Sequence, residues 1–305
     1  MDLNTPAVLI LILAAALDQA QAPLPAGKGR YVQTVASGDL QREFVVDVPT
    51  AYDGKTPLPV VVVLHGWTGT DVLAEKYTRM AEESEKGSFI AIFPQGLGKP
   101  NYLGWNVGWI DLTGQKKDDV KFVSDALDYV EKELKVDTAR EYVCGHSNGA
   151  FLANLVGSQL GNRVAAVASV AGTIGNTRQQ IPDPVAPVSV LLIHGMADNM
   201  VSYAGDSKAL LRGIGARESA KWWAKEDGCG PLANESTSDG GNVITTIYSG
   251  GKGDADVELV TIKNGSHSWP GGWQRDANGL AKLESATGVD AADLIWNFFK
   301  AHPKH

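Results

Sequence analysis

The sequence predicts an α/β fold built on a doubly wound, mostly parallel sheet, and three observations carry that expectation. Short aliphatic runs recur at residues 57–65 (PLPVVVVLH), 89–93 (FIAIF), 141–144 (EYVC), 164–170 (VAAVASV) and 188–193 (VSVLLI). Unbroken apolar runs suit strands that are covered on both faces. Helix-length segments or loops separate the runs, and alternating strands and helices build parallel sheets. One of those helices is plainly legible. Asp118 or Asp119 can cap it, and Val120, Val123, Leu127, Val130 and Leu134 recur at spacings of three and four, which makes that face core.

The remaining elements follow in chain order. Residues 31–35 and 43–48 alternate in polarity and predict an antiparallel hairpin at the sheet edge. Residues 257–262 predict a late strand, and the chain closes on a helix with Ala292, Ile295, Phe298 and Phe299 on one side. Between 172 and 187 there is room only for a short loop, so no large cap domain is expected and the site should be open from above.

A length of 305 residues fits one α/β domain, and residues 23–305 are expected to form it. The formal charge of -8 and the lack of a Lys/Arg run argue against nucleic acid, because binding phosphate backbones needs a basic footprint. Residues 7–17 form an apolar run too short to span a bilayer, followed by Ala20-Gln21-Ala22. This is the pattern of a signal peptide over residues 1–22, although Asp2 and the absence of Lys or Arg depart from the usual basic start. A secreted chain, extracellular or periplasmic, with no membrane span in its mature form is the expectation. Only Cys144 and Cys229 are present, so neither a disulfide framework nor a thiolate metal cluster is expected.

Gly145-His146-Ser147-Asn148-Gly149 reads G-x-S-x-G between a short strand and a helical pattern. In that setting the turn is sharp, small residues flank the serine, and its Oγ emerges at the carboxyl end of the sheet. A serine hydroxyl needs a base, and the base needs a partner that fixes its tautomer. In folds with this elbow the acid and then the histidine follow the serine. His302 and His305 lie in a polar tail and His194 ends a strand, which leaves His267 as the base and Asp198, in HGMADNMVSY, as the acid. Asp254, Asp256 and Glu258 suggest a solvated hairpin turn in preference to a backup acid or a calcium loop. The His65-Gly66-Trp67 segment follows the first aliphatic strand, so the backbone N–H groups of Trp67 and Asn148 are the expected oxyanion donors. Trp67, Trp105, Trp109, Trp269 and Trp273 sit among Gly, Pro and Asn and are expected to form a partly exposed aromatic wall that binds substrate; Trp222, Trp223 and Trp296 belong to helices and core.

With these residues in hand, the chain resembles the secreted α/β-hydrolase esterases related to poly(3-hydroxybutyrate) depolymerases, feruloyl esterases and acetylxylan esterases. The landmarks are LHGWTG at 64–69, GWN at 104–106, DDVKFV at 118–123, GHSNG at 145–149, HGMADNMVSY at 194–203, WWAKEDGC at 222–229 and SHSWPGG at 266–272. The resemblance implies the triad Ser147, Asp198 and His267, hydrolysis of carboxylic esters through an acyl-enzyme, and no metal or organic cofactor. Many relatives carry a cysteine in the segment matching 249–251 that could pair with the one matching Cys229; here the segment is Ser-Gly-Gly. The partner expected is a small or polymer-attached ester. The alternative is a non-catalytic carbohydrate-binding module on a hydrolase-like fold.

Overall fold

A computed structural model describes residues 24, 27–176, 179–205, 213–231, 233–275, 281–283 and 287–304. The expected leader, residues 1–22, lies outside the described residues. Strands β1 (Gly29–Ser37) and β2 (Leu40–Val48) form the expected hairpin, and β2 also pairs antiparallel with β4 (Ile90–Pro94). Strand β3 (Leu58–Leu64) lies parallel to β4, and helices α1 (Asp71–Thr78) and α2 (Met80–Gly87) connect the two. A small hairpin follows, β5 (Leu97–Lys99) with β6 (Tyr102–Gly104), and then helix α3 (Asp119–Glu133). Strand β7 (Val136–His146), helix α4 (Asn148–Leu160), β8 (Ala166–Val170) and β9 (Ser189–Gly195) continue the parallel winding. Beyond helix α5 (Ala216–Glu226), β10 (Asn234–Ser238) and β11 (Val243–Tyr248) run antiparallel, and β12 (Val257–Ile262) returns to pair parallel with β9. A second hairpin, β13 (Trp273–Arg275) with β14 (Ala281–Leu283), precedes the last helix, α6 (Ala291–Ala301).

Ten strands make one sheet in the order β1-β2-β4-β3-β7-β8-β9-β12-β11-β10. Side chains alternate across a strand, so each central strand feeds two cores. Val60, Val62 and Leu64 of β3 join Leu127 of α3, Leu152 of α4 and Trp223 of α5 on one face. Val61 and Val63 turn the other way, toward Ala74 of α1, Met80 of α2 and Phe299 of α6. That two-sided burial is why the strands are aliphatic throughout. Asp118 caps α3 by accepting from Lys121 N at 2.9 Å, and Asp119 forms a buried pair with Arg42 of β2 at 2.8 Å that ties the helix start to the sheet edge. Between β8 and β9 no helix occurs among the described residues, and the Ser249–Asp256 connection is a turn in which Asp256 accepts from Gly250 N at 3.2 Å. Cys144 and Cys229 are both free thiols.

Candidate active site

Strand β7 and helix α4 meet at Ser147, whose φ of 54° and ψ of -115° are a conformation that residues with a side chain seldom adopt. Close packing enforces the turn. A methyl group at Gly149 would stand 2.3 Å from the carbonyl oxygen of Leu64, and one at Gly145 would stand 2.4 Å from the backbone of Gly149. The two glycines therefore let α4 begin directly against the ends of β3 and β7. Ser147 N–H donates to Val170 O at 2.9 Å, which fastens the elbow to β8.

The structure brings Ser147, His267 and Asp198 together from three strand ends. Ser147 Oγ lies 2.9 Å from His267 Nε2, and His267 Nδ1 lies 2.8 Å from Asp198 Oδ2. Asp198 sits in the turn after β9 and His267 in the loop after β12, so the parallel pairing of those strands sets the two side chains side by side. Asp198 is buried, and Oδ1 accepts from Met200 N at 2.8 Å and Val201 N at 2.9 Å. Burial alone would raise its pKa. Hydrogen bonds from His194 and His267, the electrostatic influence of the nearby His267 and the Val201 N–H outweigh that effect and hold the carboxyl well below the usual range. His194 is a strand-end residue bound to Val201 O at 2.9 Å, with Nε2 also 3.4 Å from Asp198. His146, in the cleft wall, has its pKa depressed to about 3, by burial first and then by the charge at His267, so it stays neutral beside the triad.

A second set of contacts shapes the loop after β3. His65 Nδ1 lies 2.7 Å from Gly66 O, and its Nε2 accepts from Gly96 N at 2.9 Å, which fixes the proton on Nδ1. Burial lowers the pKa of His65 to about 4, in keeping with that neutral tautomer. Thr68 N donates to Leu103 O at 2.8 Å. The backbone N–H groups of Trp67 and Asn148, the two expected oxyanion donors, have no acceptor among the described residues. Asn148 is occupied through its side chain, whose Oδ1 accepts from Trp105 N at 2.7 Å.

Three of the five tryptophans expected to form an exposed wall depart from that expectation. Trp105 is fully buried, and its indole N–H donates to His65 O at 2.8 Å; it braces the loop that carries Trp67. Trp109 is half-buried, edge-on to Phe151 with ring centroids 4.8 Å apart, and does not line the cleft. Trp269 lines the cleft but is only 2% exposed, packed against Tyr77. Their Gly- and Asn-rich surroundings reflect tight turns, which do not report burial. Trp67 and Trp273 are each 43% exposed. Of the helical three, Trp223 and Trp296 are buried and Trp222 packs half-buried against the core. Tyr102 was not anticipated: on the tip of the β5–β6 hairpin, it is exposed and stands 6.2 Å from the Trp67 ring.

A cleft of about 570 Å³ opens beside the triad, lined by Gly66, Trp67, Leu73, His146, His267 and Trp273 among others. A family profile described as "Putative esterase" matches residues 37–288. The chain belongs to that esterase family. This esterase is 29% identical over 237 residues to feruloyl esterase B of Piromyces equi, a match that covers 74% of this chain and 42% of the fungal protein. It is 26% identical over 281 residues to "Probable feruloyl esterase C" of Aspergillus niger, covering 88% of each. Among solved structures, acetyl xylan esterase from Aspergillus awamori superimposes with a TM-score of 0.60 over 78% of this esterase and 94% of that chain, at 16% identity, which establishes the shared fold. Among the described residues of the esterase, no group of His, Cys, Asp and Glu could hold a metal ion, and no helix is long and apolar enough to cross a membrane.

Proposed function

We propose that the protein is a secreted serine esterase whose residues 23–305 form one catalytic domain, with Ser147 as nucleophile, His267 as general base and acid, and Asp198 as the residue that orients the imidazole. The observation that carries this reading is the unbroken relay from Ser147 Oγ to His267 Nε2 at 2.9 Å and from His267 Nδ1 to Asp198 Oδ2 at 2.8 Å. Ser147 Oγ attacks the ester carbonyl carbon as its proton passes to His267 Nε2. The tetrahedral oxyanion is held by the N–H groups of Trp67 and Asn148. As the intermediate collapses the carbon–oxygen bond breaks, and the leaving alcohol takes the proton from His267. Water then gives its proton to the same nitrogen and attacks the acyl-enzyme, and the acid departs as Ser147 regains its hydrogen.

The substrates proposed are feruloyl or acetyl esters of plant polysaccharide, or short hydroxyalkanoate chains. The open cleft, with Trp67, Trp273 and Tyr102 exposed around it, supports bulky or polymer-attached esters. The names of relatives matched in sequence, feruloyl and acetylxylan esterases, support the first two classes. Comparison of rates on methyl ferulate, acetylated xylan and a hydroxybutyrate oligomer separates the three. Ser147→Ala should lower kcat by roughly 10⁵- to 10⁶-fold and remove covalent labelling by an organophosphate probe. Wild-type protein that binds these esters without turnover or labelling would instead make the fold a non-catalytic binding module.

A further inference from the structure

The cleft carries hydrogen-bond donors that the proposed ester chemistry leaves unused. Among the described residues no Asp or Glu lines it, although the chain has 35 acidic residues against 27 Lys and Arg. Lys76, in the last turn of α1, is exposed in the cleft wall and forms no ion pair with a described residue. Its neighbour Glu75 is not available to it, being held by Arg30 at 2.9 Å. Two further donors belong to the same wall. Trp269 Nε1–H is buried without an acceptor, and so is the Nε2 amide of Gln274, next to Trp273. An indole N–H can only donate, as can an amide nitrogen or an ammonium group, so all three call for an acceptor. Native proteins rarely leave such donors unmet, and a ligand that brings the acceptor resolves the deficit.

We propose that the wall formed by Lys76, Trp269 and Gln274 is a subsite for a carboxylate carried by the ester substrate. The inference rests on the esterase reading above and narrows its substrate class to anionic esters. Lys76 supplies the charge, and the two N–H groups supply hydrogen-bonding capacity behind it. Such a carboxylate has two chemical sources: an acidic sugar of the polysaccharide to which the acyl group is attached, or the free acid end of a hydroxyacid oligomer.

Two matched pairs of substrates test the proposal with the full chain. One is an acetylated glucuronic acid glycoside against its glucuronamide; the other is the 3-hydroxybutyrate dimer as free acid against its carboxamide. The expected kcat/KM favours the acid by about fivefold in at least one pair, and the preference shrinks with added salt. The pair that shows it identifies the source. Lys76→Met should bring the acid-to-amide ratio to about one, Lys76→Glu should invert it, and Lys76→Arg should keep it. A merely helix-stabilising lysine would leave the ratio untouched. Equal rates within both wild-type pairs, or a preference that survives Lys76→Met, would overturn the subsite while leaving the esterase reading in place. If no ester were turned over, titration of the Trp67 and Trp273 fluorescence with glucuronate and glucuronamide would still decide it: equal affinity overturns the subsite, and tighter glucuronate binding that Lys76→Met removes upholds it.

Discussion

Ser147 occupies its left-handed backbone position at a cost of about 1 to 3 kcal/mol, which the surrounding elbow must offset. The neighbouring acid shows how single hydrogen bonds decide a tautomer. Two backbone N–H groups, of Met200 and Val201, point at Asp198 Oδ1, so only Oδ2 faces His267. In Asp198→Asn the amide oxygen must stay with those backbone donors, which turns the NH2 group toward His267 Nδ1. The imidazole would then accept there and carry its proton on Nε2, facing Ser147, with no lone pair to take the hydroxyl proton. Steady-state ester hydrolysis should show kcat reduced by about 10⁴-fold with KM little changed. A loss smaller than tenfold would assign the orienting role to another group. In the pH profile of ester hydrolysis His146, held at about pKa 3, should add no inflection of its own above pH 5.

The start of helix α4 against β3 is the tightest joint between elements. Gly149→Ala would press a methyl group to 2.3 Å from Leu64 O and 2.5 Å from His65 O, so α4 must retreat or the loop bearing Trp67 must shift. We expect a loss of about 1 to 3 kcal/mol in urea unfolding together with slower organophosphate labelling. Asp118→Ala, which removes only the cap of α3, should cost about 1 kcal/mol and leave labelling intact. Labelling that is equally impaired in both variants would deny the elbow its special position. This contrast also explains what the sequence made visible. The strands β3, β4, β9 and β12, the cap at Asp118 and the G-x-S-x-G turn each carry a local signature: two-sided burial, an acid before an amphipathic stripe, glycines at a close approach. The edge strand β10, its neighbour β11 and the helices α1 and α2 were not anticipated. Asn234–Ser238 is exposed throughout, and α1 and α2 are two turns long, too short for a clear period. Trp105 and Trp269 were misplaced because burial in a loop depends on what folds over it, and no window of neighbouring residues contains that. Trp67 and Trp273 share the same loop chemistry and are exposed.

At the scale of the whole molecule, burying titratable groups on both sides of the sheet gives stability opposing pH slopes. His65 and His146 are held neutral, with pKa values depressed to about 4 and about 3, chiefly by burial. Below the ordinary histidine range the unfolded chain binds protons that the native protein refuses, so their contribution is present above about pH 6.5 and is lost as pH falls. Asp47 and Asp227 act in the opposite sense. Burial raises both to about 7, with Glu75 adding to the effect at Asp47 and Arg30 opposing it. Each native carboxyl keeps a proton that the unfolded chain releases near pH 4, so the stability it brings is present below pH 4 and is lost as pH rises through 7. Asp47 isolates this limb, because its Oδ2 is buried with no hydrogen-bond partner. Asp47→Asn keeps the shape and cannot ionise. Urea unfolding at pH 8 should find this variant more stable than the wild type by about 1 to 2 kcal/mol, after allowance for partial solvent contact. The difference should narrow to nearly nothing at pH 4, where the native wild-type side chain is already protonated. A gain that persists undiminished at pH 4 would place its origin in packing instead of charge, and a loss at pH 8 would mean that the ionised carboxylate has a partner in solution that holds it.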